Sequence, residues 1–127
     1  MKPENEILEL FDQWNAALGT GEPDEVVKLY ATDAVLLPSF SNMVRHNHGE
    51  IRDYFALFLP RGPHSIIEQA NIRVFGDTAV NSGIYVFHLA SGPIKTLRAR
   101  FTFVYRHVGD RWLIIEHHSS AMPEQTT

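Results

Sequence analysis

The sequence predicts an α+β domain, helices first and a mainly antiparallel sheet afterwards. Three observations carry this: apolar residues at three- and four-residue spacing near the start, long β-type runs in the second half, and short glycine-containing turns between those runs. With 127 residues there is room for one hydrophobic core and not two, since domains usually run to about 100–150 residues. One domain over residues 1–127 is expected, with residues 124–127 as a frayed tail.

From Glu4 to Leu18 the stripe Ile7, Phe11, Trp14, Leu18 marks an amphipathic helix that Gly19 and Gly21 end. Pro23 suits the first position of a short second helix, Asp24 and Glu25 favour its positive end, and Val26, Val27, Leu29 and Tyr30 supply its apolar face. Ala34 to Leu37 reads as a strand stopped at Pro38, and Met43 to His46 as a further short strand. Ile51, Tyr54, Phe55 and Phe58 mark a third helix, terminated by Pro60, Gly62 and Pro63. Ser65–Phe75, Thr78–Ala90, Ile94–His107 and Arg111–Ser119 then form an antiparallel meander, turning at Gly76-Asp77, Ser91-Gly92-Pro93 and Gly109-Asp110.

Strand parity says which side is dry. In Ile94–His107 the odd positions Leu97, Ala99, Phe101, Phe103 and Tyr105 are apolar, so that face should meet the helices, with Arg98 and Arg100 opposite. Thr78–Ala90 carries bulk on both faces, Val80, Ile84 and Val86 against Tyr85, Phe87 and Leu89, and the last strand does the same. Three helices cover one face of a small sheet, so the second apolar face calls for another subunit. A homodimer or larger homo-oligomer is expected, with Tyr85, Phe87, Arg98, Arg100, Glu116 and His118 at the interface.

A net charge of −4 offers no basic surplus for a phosphate backbone, so no nucleic-acid partner is expected. Zero cysteines exclude disulfides, thiolate nucleophiles and cysteine-ligated metals. No apolar run approaches a membrane span, and the acidic start is unlike a signal peptide; no membrane partner and a cytoplasmic location are expected. Seven histidines are many for this length, but adjacent His117 and His118 point to opposite faces of a strand and cannot share an ion, so no metal site and no cofactor are expected. Glu116, His118 and Arg100 would share one face of neighbouring strands, close enough for a cross-strand network. Ser119-Ser120 beside two histidines lacks the geometry of a hydrolase dyad, and no Gly-x-Ser-x-Gly elbow occurs.

The element order, the segment Leu29-Tyr30-Ala31-Thr32-Asp33-Ala34-Val35-Leu36-Leu37-Pro38 and the ending Trp112-Leu113-Ile114-Ile115-Glu116-His117-His118-Ser119-Ser120-Ala121-Met122-Pro123 resemble the nuclear transport factor 2-like (SnoaL-like) superfamily. Within it, the chain is most similar to bacterial stand-alone relatives of the association, or hub, domain of calcium/calmodulin-dependent protein kinase II. Asn42, Val44, Gly49, His64, Ile67, Gly76, Asp77, Thr96, Thr102 and Val104 extend the match through the middle of the chain. The resemblance implies a cone-shaped fold, self-association, and a pocket between helices and sheet. It brings no kinase activity, because no glycine-rich ATP loop or catalytic loop is present. Where the kinase hub has pocket arginines that accept small carboxylates, the aligned positions here are Val86, Phe103 and Ser119.

The expected pocket lining is Trp14, Tyr30, Tyr54, Phe58, Val86, Phe101, Phe103, Tyr105, His117 and Ser119, uncharged apart from histidine and suited to a small, mostly apolar organic ligand. Because members of this superfamily include isomerases, dehydratases and cyclases, proton-transfer catalysis is the alternative. His117, His88 and His64 are its candidate bases and Tyr30, Tyr54 and Tyr105 its candidate donors. If side chains fill the cavity, a ligand-free interaction scaffold is the third reading.

Overall fold

Pro3–Gly19 forms helix α1, which turns Ile7, Phe11, Trp14 and Leu18 into the core. The computed structural model describes residues 3–124; the expected fraying of positions 125–127 lies outside the described residues. Helix α2, Pro23–Val27, is short and begins on proline, whose missing N–H costs nothing at that position. Helix α3, His48–Phe58, is capped by the Asn47 side chain, which accepts from the Glu50 N–H at 2.9 Å. A 3₁₀ turn, Leu59–Arg61, follows and ends at Gly62, whose positive φ of 66° lets the chain reverse into the sheet.

The strands are β1 (Tyr30–Leu37), β2 (Pro63–Phe75), β3 (Thr78–Leu89), β4 (Thr96–Val108) and β5 (Arg111–Ala121). They make one five-stranded sheet in the order β1-β5-β4-β3-β2, antiparallel except where β1 runs parallel to β5. Strand β1 starts at Tyr30 rather than Ala34 because Tyr30 already pairs with Ile114. The segment Met43–His46 contributes a single bridge, Arg45 to Leu36, and no strand.

Two bulges set which side chains face the helices. Between the pairs Val104↔Glu116 and Tyr105↔Ile114 the residue Ile115 is extra, so Ile114 and His117 both point inward although their numbers differ in parity. Between Ile67↔Tyr85 and Gln69↔Ile84 the extra residue is Glu68. Just beyond it the backbones of β2 and β3 approach so closely that a Cβ on Gly83 would collide with the Gln69 carbonyl.

The core lies between the helices and the inner face of the sheet. Phe11 and Trp14 pack on Tyr85, Phe101 and Phe103, with ring centroids 5.3–6.5 Å apart. The expected outward placement of Tyr85 and Phe87 is corrected here: both are buried in this core. The physical reason is register. Tyr85 pairs with Ala99 and Phe87 with Leu97, and directly opposed residues share a face, so the odd positions of β3 join the odd face of β4.

Candidate functional site

A small cavity sits where α1, α3 and the loop after β1 meet the sheet. Its walls are Trp14, Tyr54, Phe55, Phe58, Tyr85 and Phe87, with Leu36, Pro38, Ser39, Phe40, His117 and Ser119 closing one end. Its free volume is ≈ 10 Å³, about the space of one water. Phe40 closes it from outside, stacking on Phe58 at 5.2 Å and meeting Phe87 edge-on at 5.8 Å.

A line of hydrogen bonds runs through the core to this cavity. The Trp14 indole donates to the Tyr30 hydroxyl at 3.1 Å. An indole N–H can only donate, so the Tyr30 oxygen accepts and its own proton goes to His117 Nδ1, 2.9 Å away. Tyr85 donates to Ser119 Oγ at 2.6 Å, which leaves its oxygen to accept from His117 Nε2 at 3.2 Å. The network thereby assigns the Nε2–H tautomer, with both ring nitrogens used. Ser119 and Ser39 then pair through their hydroxyls at the cavity end.

Burial dominates the electrostatics. It pushes His117 down to about 3, with His118 adding to the effect, so the ring is neutral near pH 7. Burial also raises the Tyr30 and Tyr85 phenols above their ordinary value, against the opposing pull of the Trp14 and Ser119 hydrogen bonds. The imidazole stacks on Phe103 at 4.0 Å and meets Trp14 edge-on at 5.3 Å. A neutral histidine with both ring nitrogens engaged organises the core at the edge of the cavity.

The other expected residues separate. Phe101 and Phe103 lie under α1 as packing. Tyr105 leaves the cavity and lines a separate hollow of ≈ 340 Å³ with Glu6, Leu10 and Trp112. Val86, expected in the pocket wall, pairs with Arg98 on the opposite face of the sheet. His64 and His88, expected as candidate bases, face each other across β2 and β3 as exposed residues outside the cavity. Arg98 pairs with Glu68 at 2.7 Å, and no hydrogen bond joins Arg100, Glu116 and His118 among the described residues, so the expected network is absent there. Sequence reasoning passed over Phe40, Ser39 and Asn81. Asn81 is fully buried with no hydrogen-bond partner for its amide among the described residues.

Outside Phe40 lies a groove of ≈ 170 Å³ lined by Phe40, Ser41, Arg45, Tyr54, Leu57, Phe58 and Arg61. Arg45 lies over the Tyr54 ring at 5.1 Å and Arg61 over the Phe40 ring at 5.0 Å. Burial raises the Tyr54 phenol, while both guanidiniums pull it the other way. No cluster of metal-ligating side chains forms among the described residues, and no helix there is long and apolar enough to cross a membrane.

Residues 3–123 match the family described as calcium/calmodulin dependent protein kinase II association domain. The chain belongs to that family. A Xanthomonas campestris structure, named as a candidate association domain of the same kind, is 48% identical, with a TM-score of 0.91 over 94% of this chain and 88% of that one. At fold level the association domain also resembles a candidate dehydratase of the NTF2-like family from Streptomyces avermitilis, 18% identical, TM-score 0.85, over 95% and 96% of the two chains. A nuclear transport factor 2-like superfamily protein from Salmonella enterica is similar in fold, 14% identical, TM-score 0.82, over 97% and 93%. No curated protein matches. Membership places this association domain among self-associating or ligand-binding domains of the NTF2-like fold.

Proposed function

We propose that the chain is a self-associating domain that pairs with further copies of itself through the uncovered face of its sheet. The observation that carries this is the one-sidedness of the sheet: the core elements α1 and α3 pack on the face of Tyr85, Phe101 and Phe103, and among the described residues no helix covers the other face. Along the middle of that open face Val80, Ile84 and Val86 form an apolar ridge, with Arg98, Arg100 and Thr102 of β4 beside it. Polar flanks around an apolar strip suit a second copy of the same surface. The family description supports the same reading. No kinase or proton-transfer activity is assigned to it.

A ligand-binding reading is favoured by one further observation. Phe40, Tyr54 and Phe58 line both the inner cavity and the outer groove, so displacement of Phe40 would merge the two spaces. In that state the inner space would admit a small, mostly apolar molecule.

The test of self-association is Ile84→Asp, a charge placed on the ridge and away from the core. It should weaken association at least tenfold with an unchanged circular dichroism spectrum; an unchanged association constant in a folded variant would refute this interface.

A further inference from the structure

We propose that the groove outside Phe40 is a binding site for a small aryl oxyanion, held by Arg45 and Arg61 against the rings of Phe40 and Tyr54. The site stands on the loop after β1 and the turn after α3, and it needs neither self-association nor the opening of the inner cavity.

Three observations converge. First, Arg45 is only 9% exposed, yet its Nη1 is met by neutral acceptors alone, the Ser41 hydroxyl at 2.6 Å and the Met43 carbonyl. Second, the ion pairs among the described residues are Lys28–Glu25, His46–Glu50, Arg52–Asp24 and Arg98–Glu68, which leaves both Arg45 and Arg61 without a carboxylate. A guanidinium held largely out of water with no counter-charge is costly, and an anion between two of them offsets that cost. Third, no acidic side chain lines the groove, so nothing there competes with an incoming anion.

The shape selects the body of the ligand. The groove of ≈ 170 Å³ has room for one six-membered ring with its head group. Phe40, Tyr54 and Leu57 give its wall an apolar surface that suits a planar apolar body, while the guanidinium forks suit two oxygens of a carboxylate or phosphate.

Isothermal titration of the full chain with benzoate, phenyl phosphate and benzamide tests this. Benzoate or phenyl phosphate should bind one per chain with benzamide at least tenfold weaker, and the preferred head group distinguishes a carboxylate site from a phosphate site. Arg61→Gln, which leaves the buried Arg45 contacts intact, should weaken the anion at least tenfold. Arg45→Gln should do the same if it folds, and Arg61→Gln decides the matter if it does not. Benzamide binding as well as benzoate, no heat from either anion at millimolar concentration, or affinity unchanged by Arg61→Gln would overturn the proposal.

Discussion

Tyr30 and His117, 87 residues apart in sequence, share a 2.9 Å hydrogen bond between the phenol and Nδ1 in the centre of the core. Their strands run parallel, β1 beside β5, and the bulge at Ile115 is what turns His117 toward Tyr30. The bond ties the first strand to the last and fixes the tautomer that reaches Tyr85.

Removing the Tyr30 hydroxyl should leave two buried groups, the Trp14 N–H and His117 Nδ1, without partners. Tyr30→Phe is expected to destabilise the fold by about 1–3 kcal/mol in urea denaturation. Tyr85→Phe should act similarly, and the double variant should cost less than the sum, because both bonds order one ring. Strict additivity would show that the two bonds are independent.

The depressed His117 sets the direction of acid sensitivity. In the unfolded chain the ring takes up a proton below about pH 6.5, whereas in the fold it does so only near 3, so the unfolded state binds more protons between those values. Stability should therefore fall as pH drops below 6.5, by up to about 1.4 kcal/mol per pH unit from this group. Glu50 and Glu68, held low by their His46 and Arg98 partners, add to the loss only below the ordinary carboxylate range. Between pH 6.5 and 4.5 the slope should flatten in His117→Gln; the same slope in that variant would exclude His117 as its source.

Local periodicity is legible in the sequence; strand register, the bulge in β5 and the path of the loop after β1 are not. Helical spacing located Ile7, Phe11, Trp14 and Leu18, and the period of two located the dry face of β4, because both follow from local geometry. Alternation alone places Tyr85, Phe87 and Val86 on the wrong faces, because the pairing of β3 with β4 depends on where the turn closes. His117 is expected in the pocket wall and lines the cavity, but the bulge at Ile115 that lets Ile114 and His117 share the inner face is announced by no residue type. Apart from His117 the cavity is lined by no titratable acid or base other than tyrosine, in line with the apolar odd face of β4, but its closure by Phe40 comes from a loop without periodicity.

Gly83 should tolerate no side chain. Gly83→Ala drives a methyl into the Gln69 carbonyl of the neighbouring strand, and backbone has no rotamer with which to yield. A loss of at least about 2 kcal/mol is expected in thermal or urea unfolding. A near-neutral variant would mean that β2 and β3 are further apart than described.

Phe40→Ala should open the inner cavity to the outer groove. Benzene is expected to shift the NMR signals of the Trp14 indole and the Phe58 ring in the variant and not in the wild-type chain. Equal shifts in both would show that Phe40 is no barrier, and none in either would remove the apolar-ligand reading.

Self-association through the open face of the sheet is tested by sedimentation equilibrium of the wild-type chain at micromolar concentration. A dimer or larger species, a multiple of 14.4 kDa, is expected. A clean 14.4 kDa species across that range would contradict it.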